Sequence, residues 1–142
     1  TIDNWLKLLS SLMEVQNFFI KLNGMRENLI KEKSFEFALK IVAISREITI
    51  VSKEYDLTRQ MKRSGTAIGA LIRESEHAES KADFIHKLSI SLKEANETEY
   101  WGDLLYRAGY MDQVQFDLVR SDIGELNRIL IAILRKLKNK WD

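Results

Sequence analysis

The chain has 142 residues, 45% of them hydrophobic and 30% charged, with a formal net charge of +1, no proline and no cysteine. One folded domain is expected at this length, and disorder is excluded by an ordinary apolar share with almost no net charge. The missing cysteines exclude disulfide scaffolds and thiolate metal sites, and the missing prolines leave nothing to interrupt long helices, so the composition predicts an all-helical chain.

The first apolar stripe is Trp5, Leu8, Leu12, Val15, Phe19 and Leu22, closing at Asn23-Gly24, where glycine can take the left-handed conformation that ends a helix. It lacks the basic leader of a secretory signal, since Lys7, Glu14 and Lys21 are spread through it. Met25 to Lys33 reads as a polar joining segment, and the next helix is expected over 34–53 with Phe37, Ile41, Ile44, Ile48, Val51 and Tyr55 on one face. A second face of that helix carries Phe35, Ala38, Leu39 and Val42, more apolar surface than one seam needs. The third stripe is Leu57, Met61, Ser64, Ile68, Leu71, Ser75 and Ala78, with Asp56 as the expected N-cap and small residues that let a neighbouring backbone come close. The fourth is Phe84, Leu88, Ser91, Ala95, Thr98, Gly102 and Leu105, started by Ser80 and Asp83 as a capping box and closed at Gly109. The fifth is Val119, Ile123, Leu126, Leu130, Ile133 and Leu137, introduced by Asp112 and Gln115, with Ile129, Ile131 and Leu134 as surplus apolar residues.

No segment alternates with period two over a strand's length. Short links near 53–56, 77–80 and 109–112 make neighbouring helices antiparallel, which predicts an up-down-up-down four-helix bundle plus an additional N-terminal amphipathic helix. The division is therefore residues 1–24, a helical extension or fused segment, and 25–142, the bundle. The longest apolar run, Ile129 to Leu134, is far short of the ~20 residues that cross a bilayer, so no membrane association is expected and the location expected is cytoplasmic. The surplus faces imply either self-association or cover by the N-terminal helix of the same chain.

Glu74 and His77, and Asp83 and His86, have the i, i+3 spacing used in di-iron carboxylate bundles. The two pairs straddle a predicted turn, sit beside the seam, and meet no core-facing glutamate on the other two helices, so no metal and no cofactor are expected. Nothing in the sequence assembles a nucleophile with a base, and no catalytic residue or small-molecule substrate is expected. Gly65 and Gly69 lie in mid-helix, where close packing explains them better than a phosphate loop. Cations concentrate at Arg59, Lys62 and Arg63, and at Arg135, Lys136, Lys138 and Lys140; the second group also suits the end of a helix dipole. Residues 79–109 hold four basic and six acidic side chains, so any positive surface is local.

Four blocks carry a resemblance: residues 31–42 (KEKSFEFALKIV), 63–70 (RSGTAIGA), 78–88 (AESKADFIHKL) and 93–101 (KEANETEYW). In this order they resemble the bacterial four-helix bundle proteins of the 23S rRNA intervening-sequence family, over about residues 25–138. The resemblance implies a left-turning four-helix bundle, a ring-like homopentamer and no enzyme activity. It also implies a relation to accessory proteins of diversity-generating retroelements, which bind nucleic acid and a reverse transcriptase. The leading expectation is thus a non-catalytic oligomeric scaffold binding RNA, DNA or a nucleic-acid enzyme through Arg59, Lys62, Arg63, Arg135, Lys136, Lys138 and Lys140. The alternative is a protein-interaction module that accepts a partner amphipathic helix, with residues 1–24 serving as that helix in cis or in trans.

Overall fold

The computed structural model describes residues 1–22 and 26–139, with side chains described for 1–17 and 29–138; Phe19, Leu22, Gly24 and Lys140 therefore lie outside what is described. Five helices follow one another: α1 (Ile2–Leu22), α2 (Arg26–Ser52), α3 (Asp56–Ser75), α4 (Lys81–Arg107) and α5 (Gln113–Asn139). Helices α2 to α5 form a closed ring of neighbours, α2 on α3, α3 on α4, α4 on α5 and α5 back on α2. The short links turn each helix antiparallel to the one before it, and the described residues contain no strand.

The α4 and α5 stripes bury as expected: all seven α4 positions from Phe84 to Leu105 and all six α5 positions from Val119 to Leu137 are in the core. They meet Phe37, Ile41, Ile44 and Ile48 of α2 and Met61, Ile68 and Ile72 of α3. Helix α3 approaches its neighbours most closely. A Cβ at Gly65 would lie 2.9 Å from Ile41 Cγ2, and one at Gly69 would lie 3.2 Å from Ser34 Oγ, so the glycine pair marks a tight α2–α3 contact within a helix. On the α4 side small residues carry buried hydroxyls. Ser91 Oγ donates to the Ile68 carbonyl across the seam at 3.0 Å, and Thr98 Oγ1 lies 2.7 Å from the Glu94 carbonyl and 2.8 Å from Ser64 Oγ. Sliding either helix would break the Ser91–Ile68 and Thr98–Ser64 contacts, so these hydroxyls favour one register of α3 against α4.

Three local expectations change. Helix α2 begins at Arg26, not near residue 34, because Ile30 and Ser34 continue the buried row of Phe37 and Ile41 one and two turns upstream. Val51 and Tyr55 are exposed, since α2 ends at Ser52 and the core does not extend beyond Ile48 on that face. Asp56 is the first residue of α3 and caps nothing; the N-cap is Tyr55, and the Glu54 carboxylate accepts from Leu57 N, Thr58 N and Thr58 Oγ1 at 3.0, 2.9 and 2.7 Å. Glutamate at this position reaches over the cap residue to the free N–H groups, and its charge suits the helix N-terminus. The other ends agree with expectation, except that the Asp83 carboxylate accepts from Glu79 N at 3.1 Å, one residue before the Ser80 N–H of a capping box. Ser80 accepts from Asp83 N, Asp112 and Gln115 cap each other reciprocally, and Gly109 closes α4 at φ +88.

Burial works against ionisation of Glu54, yet the hydrogen bonds from Thr58 and Leu57 outweigh it and hold the carboxyl below its ordinary value. A depressed folded-state pKa stabilises above the unfolded value, near ~4.3, and that contribution disappears as pH falls through the lower folded value. Glu54→Ala is accordingly expected to cost about 1 kcal/mol at pH 7 and progressively less below pH ~4, read as the gap between variant and wild-type melting temperatures. A gap independent of pH contradicts the cap.

Helix α1 does not cover the surplus face of α2. Among the described residues it touches only α4 and α2; Val15 is buried and Ser11 Oγ accepts from Lys81 N at 3.4 Å. Trp5 and Leu8 of the expected stripe are exposed, and Phe35 and Leu39 remain 49% and 56% exposed. On α5 the surplus is absorbed, with Leu134 buried and Ile129 and Ile131 half-buried.

Candidate functional site

The expected cations do not form one surface. Arg59, Lys62 and Arg63 lie near the start of α3, whereas Arg135, Lys136 and Lys138 occupy the last turns of α5, at the opposite end of the bundle. At 1.5 Å per residue the two groups stand roughly 30 Å apart along the axis. The α5 cations alternate with buried Leu134 and Leu137 and point outward beside the helix C-terminus, where their charge favours the helix dipole. Lys140 falls outside the described residues.

Within the α3 group the residues separate further. Arg63 spans to α4, pairing with Glu97 and with Glu94 at 3.5 Å, while Glu97 also accepts from Trp101 Nε1 at 3.2 Å. The Arg63 guanidinium, followed by the Trp101 N–H, holds the Glu97 carboxyl below the usual carboxylate range. Arg63 is thus a helix-to-helix clamp, with its charge already answered by two carboxylates. Arg59 and Lys62 are exposed and make no ion pair among the described residues. Positions 59, 62, 66, 69 and 73 share one face of α3, the face beside α2.

Arg46 joins them, and sequence reading did not single it out. The contacts of Gly65 with Ile41 and of Gly69 with Ser34 set the antiparallel register of α2 and α3, which places exposed Arg46 level with Arg59 and Lys62. The signal for it is that register, carried by two glycines on the next helix. Several other cations are instead paired across helices, Lys33 with Glu125 at 2.5 Å, Lys40 with Asp122 at 2.9 Å, and Arg120 with Asp103 at 2.8 Å.

Towards the other end, the same α2–α3 face opens into an apolar groove of about 390 Å³. Phe35, Leu39 and Val42 of α2 line one side, Gly69 and exposed Ala70 of α3 the other, and the Arg73 guanidinium sits 5.1 Å over the Phe35 ring.

His77 and His86 are both exposed, and among the described residues no group of three or more histidine, aspartate or glutamate side chains is placed to hold a metal ion. No described helix is long and apolar enough to cross a membrane.

With this geometry in hand, the comparisons assign the bundle. The family described as 23S rRNA-intervening sequence protein matches residues 26–132, which is α2 through most of α5. The chain belongs to that family. It is also similar to a crystal structure of a protein of unknown function from the S23 ribosomal protein family of Bacteroides thetaiotaomicron VPI-5482, at 49% identity and a TM-score of 0.76. The match covers 78% of this chain and 99% of that one. No curated protein matches the chain. Helix α1 lies outside the family match, so the part of this 23S rRNA-intervening sequence protein that the match covers is the bundle with its α2–α3 face.

Proposed function

We propose that the chain is a subunit of a non-catalytic oligomeric scaffold that binds the phosphate backbone of RNA or DNA through Arg46, Arg59 and Lys62. The observation that carries this reading is the segregation of charge. In a chain of net charge +1, the cations that tie helices together are matched by carboxylates, whereas these three are exposed, level with one another and, among the described residues, without an ion pair. Phosphate recognition needs cations that are not already paired, and repetition of a modest patch around an oligomer multiplies its affinity. The exposed apolar side chains of α2 and α1 support the oligomer, because monomers seldom leave contiguous apolar surface in water. Arg135, Lys136 and Lys138 form a second patch facing a different direction, and Arg63 contributes structure instead of contact.

The test is sedimentation of the full chain, alone and with a single-stranded RNA. The expected result is a particle several times the 16.6 kDa of one chain that becomes heavier with RNA. A 16.6 kDa species unaffected by RNA contradicts both halves of the proposal.

A further inference from the structure

Two apolar surfaces are left uncovered by the fold, and they are complementary. The first is on α1. Residues 5–13, Trp-Leu-Lys-Leu-Leu-Ser-Ser-Leu-Met, gather six apolar side chains on nearly half of the helix circumference, with Lys7, Ser10 and Ser11 on the other side, a wider apolar face than a single contact covers. Only one edge of that face is covered, where Leu12 and Val15 turn towards the bundle. Along the rest of it Ile2, Trp5, Leu6, Leu9 and Met13 form a single stripe, each at least half exposed and Ile2 as much as 79%. The second surface is the α2–α3 groove, with large apolar side chains on the α2 side and the small Gly69 and Ala70 on the α3 side.

We infer that the exposed stripe of α1 from one copy of the chain lies in the α2–α3 groove of a second copy. The inference rests on the reading of the chain as self-associating and names the surfaces that join. Shape favours it: the small residues Ala38 and Gly69 in the lining, with exposed Ala70 at the rim, leave room for large side chains such as Trp5 and Leu9. Charge favours it as well. The groove lining holds Lys31 and Arg73 and no carboxylate, and since Lys31 already pairs with Glu76, Arg73 is the cation left to meet Asp3, the charged residue nearest the stripe. Within its own chain and among the described residues α1 is held against α4 and α2 and makes no contact with α3, which leaves its own groove open. A lipid surface suits the stripe less well, as the only cation in the first half of α1 is Lys7. Guest and host surfaces differ, so each copy joins two neighbours head to tail, an arrangement that gives a ring where the rotation between copies closes and a filament where it does not.

The absence of cysteine makes the test clean. Full-length Leu9→Cys and full-length Leu39→Cys, one of them tagged, are purified separately, mixed and mildly oxidised; both positions are exposed, so neither change disturbs the core. The expected product is the mixed disulfide dimer in excess of either symmetric dimer, and Ala70→Trp in the Leu39→Cys chain, which fills the groove, is expected to abolish it. Symmetric Leu9→Cys dimers in excess mean that α1 pairs with α1 and overturn the inference. An intrachain disulfide in a Leu9→Cys, Leu39→Cys double variant means that α1 folds into its own groove and also overturns it. No mixed disulfide from a chain that sediments as an oligomer removes this contact but leaves self-association standing, whereas a monomeric chain removes both.

Discussion

Gly65→Val is expected to destabilise the chain by about 3 kcal/mol, while Gly124→Ala stabilises it by up to about 1 kcal/mol. Both glycines sit inside helices, where glycine is the poorer choice by about 1 kcal/mol, so propensity alone predicts a gain at each. Space decides otherwise at Gly65. Its added Cβ lies 2.9 Å from Cγ2 and 3.1 Å from Cγ1 of Ile41, a fully buried side chain hemmed in by the core, and valine adds two more methyl groups to the same place. At Gly124 the nearest atom is the end of the flexible Arg128 side chain at 3.5 Å, an ordinary contact. Thermal denaturation reads the difference as opposite shifts of melting temperature, with a loss of about 10 °C at Gly65. Equal shifts at the two sites contradict the close α2–α3 seam, and with it the register that aligns Arg46 with Arg59 and Lys62.

Arg59→Ala with Lys62→Ala is expected to weaken binding of single-stranded RNA at least tenfold at about 0.1 M salt and to flatten its salt dependence by about 0.7 per lost phosphate contact. Arg63→Ala serves as the contrasting change. The same charge type is removed one residue from Lys62, but from a side chain already held between Glu94 and Glu97. Its expected effect is on folding, at most about 1 kcal/mol for an exposed pair, with the salt slope of RNA binding unchanged. RNA titrations by fluorescence anisotropy separate the two outcomes. If Arg63→Ala weakens RNA binding as much as the double change does, the distinction between paired and unmatched cations fails.

How far each feature was legible follows from the distance over which it is determined. The α4 and α5 stripes could be read position by position, because a helix clasped along its whole length repeats its apolar spacing without interruption. The same spacing misled at the ends of helices. Trp5, Leu8, Val51 and Tyr55 continue their stripes in sequence but run past the partners that would bury them, and a stripe records a direction without recording where its neighbour stops. The cap of α3 differed because Asp56 and Glu54 both offer a carboxylate, and only the turn geometry selects the longer side chain reaching back to Thr58. The cationic cluster was half legible for a related reason. Arg59, Lys62 and Arg63 look equivalent in sequence, yet the glutamates that occupy Arg63 lie 31 and 34 residues away on another helix. The small-residue run from Ser64 to Ala70 was readable as a close contact, since a helix has few other uses for glycines at four-residue spacing.

The most direct test is the affinity of the wild-type full chain for a single-stranded RNA, followed from about 0.05 to 0.3 M salt. Backbone recognition by a few repeated cations predicts measurable binding at the lowest salt that declines steeply and linearly on logarithmic axes. Absence of binding at 0.05 M salt, or binding that salt leaves unchanged, contradicts the nucleic-acid scaffold.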